Sequence, residues 1–531
     1  MKRKLLFPVL FLVLISSTAQ SQERLFQLNK GMQQWVDPYI YQPELNFHPS
    51  VKPFQISELR EKTPFDSILN PQRPAGGFYD SWVGRKIFKE DLVKFEAGDF
   101  MLRINPLFHF QIGRDLENED NAYTNTRGFH IEGTIGPKVS FYTGFFENQA
   151  SFVNYIDSVV VRQGIVPGQG RIKFFKENAY DYSMSFGGVI YRPSKHFAFQ
   201  FAHDKNFIGD GYRSLLLSDV AYNYPFLKIT TDVWKIKYIN IFAQFQDLKT
   251  PVTHNTAFRK KYGTFHYLDV NIGKKLKIGL FDAIIWANDT ANGRGFDMNY
   301  LNPVIFLRPV EFSLNSPDNA MIGMNVSFAF SRNHILYGQL ALDEFLLKEV
   351  KDGNGWHGNK QAFQVGYKGF NLGIKNLGFQ TEFNYVRPFM YQHLSTLQNY
   401  GHFNEALAHP LGANFYESVS FLTYRYRRIH LSAQVMYAVS GRDTATFNYG
   451  NNIFKNYQNR PSEYGNEHLQ GLQTTTMFTD LKLSYLINPK TNMNVELGVI
   501  NRNLTNDLYE QNTMWVYFGF RTAIYNYYYD F

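Results

Sequence analysis

Residues 429–440 read IHLSAQVMYAVS, and this stretch decides the fold. Its apolar residues stand at every second position from Ile429 to Val439, and mostly polar or small residues stand between them. A period of two predicts a β-strand with one apolar and one hydrated face. The run is as long as the roughly 9–11 residues that a tilted membrane strand needs, whereas strands of soluble sandwiches usually have about 5–6.

The same alternation recurs along the chain from about residue 100 onward, at 196–202, 239–246, 480–488 and 494–499. The face opposite the apolar one carries residues such as Gln434, Lys482 and Glu496, which suits a hydrated lumen. An open sheet edge in a bilayer would leave backbone groups unpaired, so such strands must close into a barrel. At roughly 24 residues per strand and connection, we predict an all-β transmembrane antiparallel outer-membrane β-barrel of about 18 strands.

Composition excludes several other classes of protein. Aromatic residues make up 17% of the chain and charged residues only 19%, which is the opposite of an intrinsically disordered protein. There is no cysteine, so disulfides, thiolate metal sites and a cysteine nucleophile are excluded. No apolar run beyond the N-terminus reaches the ~20 residues of a spanning helix. Beyond the N-terminal Lys2–Lys4, no Lys/Arg-rich run is present, so we expect no nucleic-acid partner.

The N-terminal region predicts export. Lys2, Arg3 and Lys4 precede an apolar core at 5–15 and small residues at cleavage spacing, so residues 1–21 are interpreted as a cleaved signal peptide. Residues 22–99 are rich in proline and irregular, and we expect an N-terminal periplasmic or cap segment with a short helix at 85–95. An extended arm along the surface is the alternative. The barrel then comprises residues 100–531 in the outer membrane.

The last residues of the sequence, AIYNYYYDF (523–531), suggest a final strand. Tyr525, Tyr527, Tyr529 and Phe531 would form an aromatic row on one face of that strand. A terminal Phe with aromatics at alternate positions resembles the signal that the barrel assembly machinery reads, so that machinery and outer-membrane lipid are expected partners. The apolar residues of 514–520 have the other parity, and a bulge near Thr522 would reconcile the two.

The catalytic inventory is small. No GxSxG elbow, HExxH or phosphate-binding loop is present. His402, Glu405 and His409 match no standard zinc spacing, and Asp343–Glu344 is more readily explained by a strand end or a lumen face than by an acid/base couple. We therefore expect neither enzyme activity nor a metal or cofactor.

Binding fits the composition better than catalysis. Polar stretches at 114–127, 287–297, 351–360 and 442–468 are predicted external loops. Most aromatic residues of a barrel face lipid or form interface girdles. Those in loops can instead stack on sugar rings while neighbouring amides and carboxylates bond hydroxyls. The loop aromatics that we single out are Tyr212, Trp356, Tyr400, Tyr457 and Tyr464.

Three blocks resemble a known family. They are KNFIGDGYRSLLLSDVAYNYPF (205–226), MNYLNPVIFLRPVEFSLNSPDNAMIGM (298–324) and EFNYVRPFMYQHLSTLQNYGHFNEALAHPLGA (382–413). Together they look like the capsule-assembly Wzi group of outer-membrane barrels, and within it more like the RemB proteins of gliding bacteria. FIGDG at 207–211 departs from the WWGPG-like motif of the Wzi pattern, which puts direct capsule binding in doubt and leaves the barrel untouched.

The resemblance implies an exported barrel with an N-terminal periplasmic segment. Wzi-like members are lectins that tether capsular polysaccharide, and RemB-like members are associated with surface gliding through adhesion or surface polysaccharide. The distinctive positions of these blocks can equally be turns and lumen plugs. Together with the loop aromatics, they give the polysaccharide-ligand candidates Asp210, Tyr212, Arg213, Trp356, His393, Tyr400, His402, Tyr457 and Tyr464.

The resulting hypothesis is a non-enzymatic barrel at the cell surface that acts in motility or adhesion, with surface polysaccharide or motility and adhesin proteins as partners. One alternative is a Wzi-like capsule lectin. A second is a porin-like passive channel with a wide lumen. A third, a barrel hydrolase, would require a pair such as His393 and Glu382 within hydrogen-bond reach.

Overall fold

The computed structural model describes residues 24–70, 75–176, 178–248, 257–288, 295–303, 306–316 and 318–531. The predicted signal peptide, 1–21, and part of the predicted loop 287–297 lie outside these residues. Within the described ranges, no helix is both long enough and apolar enough to cross a bilayer.

The described residues form a closed antiparallel barrel of 18 strands, which confirms the predicted fold. Each strand pairs with the next one along the chain, and β18 pairs with β1 to close the ring through residues 515–521 and 109–115. The strands are β1 Phe100–Asp115, β2 Asn121–Ile135, β3 Val139–Ser151, β4 Ala179–Ser194, β5 Phe197–Asp204, β6 Tyr224–Val233, β7 Ile236–Asp247, β8 Arg259–Ile272, β9 Leu276–Ala287, β10 Asn319–Ser331, β11 His334–Leu342, β12 Gln361–Phe370, β13 Leu377–Val386, β14 Phe415–Tyr426, β15 Ile429–Arg442, β16 Leu472–Asn488, β17 Met493–Asn506 and β18 Glu510–Thr522.

Helices and short strands lie between and before the barrel strands. The α-helices are α1 Lys30–Ile40, α2 Ile56–Lys62, α3 Phe65–Leu69, α4 Trp82–Phe88, α5 Asn154–Gln163, α6 Arg308–Ser313 and α7 Leu347–Asp352. Single 3₁₀ turns occur at Gly77–Asp80, Met298–Leu301, Thr396–Gln398 and Tyr457–Asn459. Short strands occur at Leu25–Phe26, Val51–Lys52, Phe54–Gln55, Val93–Ala97, Ile165–Val166, Gly170–Arg171, Lys173–Phe175, Phe207–Ile208, Gly401–His402 and Glu405–Ala406.

The alternation along the strands places most apolar residues on the outside of the barrel. On β17, Leu497 is 51% exposed while its neighbour Glu496 is buried in the lumen, and on β15 Leu431 is exposed while Gln434 is buried. The strand at 239–246 is an exception to the expected outward apolar face. Its apolar side chains, Ile241 and Phe245 among them, face inward and pack on Leu215–Leu217. A period of two identifies the two faces but does not say which one points to lipid.

The two ends of the barrel differ in the lengths of their connections. Tight turns such as 195–196 and 234–235 join the strands at one end, and longer segments join them at the other. Outer-membrane barrels have short periplasmic turns and longer extracellular loops, so we call these the inner end and the outer end. The predicted loops 351–360 and 442–468 lie at the outer end. The predicted loop 114–127 is wrong, because only 116–120 is a turn and the polar residues around it belong to β1 and β2.

The N-terminal segment 24–70 packs into the inner end of the lumen. Its acidic side chains pair with lysines of the barrel wall, with Asp37 2.7 Å from Lys368 and Glu58 2.8 Å from Lys237. The helix expected at 85–95 is shorter and begins earlier, as α4. Residues 93–97 instead form a short strand that pairs with residues 100–104 of β1. They lie along the part of β1 that does not pair with β18, whose partners are residues 109–115.

Three further segments, 205–223, 387–414 and 523–531, occupy the lumen, and we call them the plug. The aromatic row predicted for a final strand is wrong, because β18 ends at Thr522 and the chain then turns inward. Tyr525 donates its hydroxyl to Asp204 (2.8 Å) and Tyr528 to Asp219 (2.6 Å). These hydroxyls need polar partners, which the lumen supplies and lipid does not.

Candidate functional site

Charged groups in the middle of the lumen hold the plug to the barrel wall. Arg213 of the plug is fully buried, and its guanidinium lies 2.8 Å from Glu417 of β14 and 3.0 Å from Asp530. Glu382 of β13 accepts the backbone N–H groups of Tyr212 (2.8 Å) and Arg213 (2.9 Å). Buried charges persist only when they are paired and hydrogen-bonded, as these are.

Other residues of the predicted ligand set also find partners inside the protein. Asp210 accepts hydrogen bonds from the Tyr41 hydroxyl (2.6 Å) and the Asn325 amide (2.7 Å). Tyr400 donates to the Leu216 carbonyl (2.6 Å), and His402 accepts from the Gln246 N–H (3.0 Å). Asp210, Tyr212, Arg213, Tyr400 and His402 therefore build the plug, and their role toward a ligand stays a prediction.

Three of the other candidates, Trp356, Tyr457 and Tyr464, lie at the outer end, where the loops 343–360 and 443–471 pair with each other. The fourth, His393, is a buried residue of the plug segment 387–414. Gly465 N–H donates to the Asn354 carbonyl and Asn466 N–H to the Gly355 carbonyl, both at 2.9 Å. Gly355 has φ +67°, and a Cβ there would lie 2.7 Å from the Asn466 nitrogen. Only glycine combines that conformation with that close approach, so this position fixes how the two loops meet.

The paired loops bring together a set of rings that we call the outer aromatic cluster: Trp356, His357 and Tyr457. Tyr464 lies on the second loop, next to the paired Gly465. The His357 ring lies 5.5 Å from Trp356 and 5.5 Å from Tyr457, and its edge meets Phe389. Trp356 and Tyr457 are half-buried, and Tyr464 is 46% exposed. The rings are thus held in place by packing while part of their surface faces the outside.

Paired charges lie behind the cluster. Lys360 is buried, with its ammonium 3.2 Å from Glu344, 2.9 Å from the Gln392 carbonyl and 4.8 Å from the Tyr457 ring centre. Asp343 accepts the Tyr391 N–H at 3.0 Å. Burial raises the pKa of Asp343 to about 7, although Lys360 opposes the shift. The inner side of the outer aromatic cluster is thus packed against the buried ion pair of Lys360 and Glu344.

The imidazoles of this region are neutral at pH 7. Burial lowers the pKa of His357 to about 4, and Arg460 and Lys360 add to the effect. Burial, together with Lys360, lowers the pKa of His393 to about 4. Neutral rings beside amide, hydroxyl and paired ionic groups suit a neutral polyhydroxylated ligand, because ring faces stack on C–H groups and polar groups bond hydroxyls.

The residues named for the hydrolase and metal hypotheses have other partners in the structure. His393 accepts the Ser395 N–H at 3.3 Å, whereas Glu382 is engaged by the plug. Glu405 accepts the Gly168 N–H and His409 contacts Glu417 at 2.9 Å, while His402 bonds to Gln246. In the described part of the chain, no group of His, Asp and Glu is arranged to hold a metal ion.

Sequence reasoning missed part of this site. His357, Lys360 and Phe389 were not among the candidates, and Asp343–Glu344 was interpreted as a strand-end or lumen-facing pair. The only feature of the sequence that could have identified His357 is its position next to Trp356. A buried lysine such as Lys360 carries no sequence signature, because its burial depends on how distant loops meet.

Comparisons with known proteins give structural likeness only. No protein-family model matches the sequence, and no curated protein matches it. The solved structure of Wzi of Escherichia coli, described as an outer-membrane protein involved in group 1 capsule assembly and a carbohydrate-binding β-barrel, is similar at a TM-score of 0.55 and 10% identity, covering 95% of this chain and 100% of Wzi. Pseudomonas aeruginosa OpdK with vanillate gives 0.45 and 9%, covering 79% and 98%, and OprD of the same species gives 0.42 and 12%, covering 82% and 97%. The likeness to Wzi supports the β-barrel fold.

Proposed function

We propose that this outer-membrane barrel is a non-enzymatic cell-surface protein that binds surface polysaccharide through the outer aromatic cluster. The observation that carries the proposal is the outer aromatic cluster itself, a set of partly exposed rings fixed by loop pairing above a buried ionic base. Wzi, the similar structure, is described as carbohydrate binding. Binding of this kind would serve adhesion and surface motility in RemB-like proteins, or capsule attachment in Wzi-like ones.

The filled lumen favours attachment over passage. Four separate segments of the chain, 24–70 and the three of the plug, occupy the interior, and each forms a hydrogen bond or ion pair with the wall. A porin-like passive channel needs a continuous aqueous path through the barrel. A surface-binding protein needs no such path, because its ligand stays outside the membrane.

The test is binding of the purified protein to polysaccharide extracted from the surface of the producing bacterium. Trp356→Ala combined with Tyr457→Ala is expected to weaken binding at least tenfold. Trp234→Ala is the matched control, because Trp234 is 74% exposed at the inner end. Unchanged binding by the double variant, or equal loss in the control, would contradict the proposal.

A second experiment separates the two biological roles. Cells that produce only the double variant are compared with wild type for colony spreading and for capsule staining. Loss of spreading with a normal capsule would support motility and adhesion, and the reverse would support capsule attachment. Wild-type behaviour in both assays would argue against either role for the outer aromatic cluster.

A further inference from the structure

A cavity of about 210 Å³, which we call the chamber, lies inside the barrel between α1 and the wall of β14–β18. Lys30 and Trp35 of α1 bound it on the inner side, and Tyr212 and residues 525–530 of the plug bound it on the outer side. A buried water needs only about 10–15 Å³ of such space. The chamber is therefore large enough for a small molecule and is separate from the outer aromatic cluster.

The ionic groups that line the chamber have partners, although the Lys482 ammonium lies as far as 3.9 Å from Asp480. Arg521 lies 3.1 Å from Glu496, and Asp530 lies 3.0 Å from Arg213. The Lys30 ammonium donates to the carbonyls of Gly211 (3.1 Å) and Tyr212 (2.9 Å). A charged ligand would have to break one of these pairs, which costs more than it returns in a buried site. The chamber thus favours a neutral ligand.

Both donors and acceptors in the chamber lining lack partners. In the described part of the chain, the indole N–H groups of Trp35 and Trp515 and one carboxylate oxygen each of Asp480 and Asp530 are buried without a hydrogen bond. Leaving such groups unsatisfied in a buried site is unfavourable. A hydroxyl both donates and accepts, so a molecule with several hydroxyls can satisfy donors and acceptors together.

Aromatic rings and a neighbouring cavity at the inner end complete the site. Phe478, Tyr517 and Tyr527 line the chamber and can stack on the C–H face of a sugar. A second cavity of about 250 Å³ lies on the other side of Trp35, beside the inner-end turn 371–376. Trp35 and His430 line both cavities with their rings 6.2 Å apart, so they form the partition between them.

We propose that the chamber is a binding site for a neutral saccharide of one or two rings, which enters from the inner end past Trp35. This site is independent of the polysaccharide binding proposed above, because it lies in a different part of the barrel and is lined by different residues.

The test is calorimetric titration of the full-length protein in detergent with galactose and maltose as neutral probes, and with glucuronate and glucosamine as charged ones. Ser432→Trp fills the chamber, since Ser432 lines it on β15. Ser418→Trp is the matched control, because Ser418 lies on β14 at a register position whose neighbours Phe383 and Tyr437 are exposed on the outer wall. The difference in migration between unheated and heated samples on a denaturing gel verifies that each variant is folded.

Saturable binding of a neutral probe, weakened at least tenfold by Ser432→Trp and kept by Ser418→Trp, is the expected result. It should also persist in the Trp356→Ala/Tyr457→Ala variant, so failure of the surface-polysaccharide proposal is distinguishable from failure of this one. No binding of either neutral probe, binding of charged probes only, or equal binding by Ser432→Trp would overturn the proposal.

Discussion

At the scale of single residues, buried charge pairs position the plug, in addition to the apolar packing around Leu215–Leu217. Arg213 is the clearest case, because one guanidinium joins a loop, the wall strand β14 and the segment 523–531 through Glu417 and Asp530. Each partner comes from a distant part of the sequence. Such a residue specifies where the plug sits, and its loss leaves two carboxylates facing each other in a buried site.

Arg213→Met is therefore expected to destabilise the folded barrel by about 3–5 kcal/mol, the usual cost of breaking a buried pair from one side. Urea unfolding in detergent, followed by tryptophan fluorescence, measures the change. Arg332→Met is the control, because Arg332 is 72% exposed and its contact with Glu44 is 3.6 Å. An exposed pair contributes only about 0–1 kcal/mol, so similar losses in both variants would refute the assignment.

The buried ammonium of Lys52 should make the stability of the protein depend on pH. Burial lowers the pKa of the Lys52 ammonium from 10.5 to about 7, and Lys30 adds to the effect. The unfolded chain then binds more protons between pH 7 and 10.5, so stability rises with pH across that window and the full penalty is present below it. Lys52→Met should remove a slope of at most ~1.4 kcal/mol per pH unit. Urea midpoints at pH 7, 8.5 and 10 measure it, and an unaltered slope would contradict the assignment.

At the scale of elements, the period of two was sufficient to predict most strands and insufficient to orient all of them. The alternation at 429–440 and 494–499 gave the correct outward face, because polar lumen residues contrast with apolar lipid-facing ones. At 239–246 both faces have apolar members, since this part of the lumen is filled by Leu215–Leu217. The segment 523–531 has the alternation of a strand, but its tyrosine hydroxyls find partners in the lumen.

The pairing of the two outer loops predicts an unequal response at two neighbouring glycines. Gly353 and Gly355 both have positive φ, but a Cβ at Gly353 meets open space whereas one at Gly355 meets the backbone of Asn466. Gly353→Ala should cost about 1 kcal/mol locally from its conformation alone. Gly355→Ala should in addition separate the loops, raise their cleavage by trypsin severalfold and weaken polysaccharide binding. Equal proteolysis of the two variants would contradict this role.

At the scale of the whole molecule, the sequence predicted the barrel and its location but not the state of its interior. Strand number follows from length and period, whereas the plug depends on contacts such as Lys30 with Tyr212 that join remote segments. The candidate site divides in the same way. Trp356 and Tyr457 were identifiable as loop aromatics. The His357 ring contacts both of them only because two loops about 100 residues apart in the sequence pair with each other.

Excision of one plug segment is expected to open the barrel. Asp204 and Tyr224 are paired across β5 and β6, so a short Gly-Asn turn can replace residues 205–223 without straining the strands. This variant should conduct ions in planar bilayers, whereas the wild type should show little conductance. The control replaces 443–471, whose flanking residues Arg442 and Leu472 are also paired. Equal conductance by wild type and the first variant would contradict a plug role.

The seam between β1 and β18 has a consequence for biogenesis. Residues 24–70 come from before the first strand and 523–531 from after the last, yet both are enclosed, and Lys30 bonds to Asn526 across 496 positions of sequence. This contact can form only after the last strand has been made, so we expect packing of the lumen and closure of the barrel to be coupled late in folding. Contacts of such long range make that step slow.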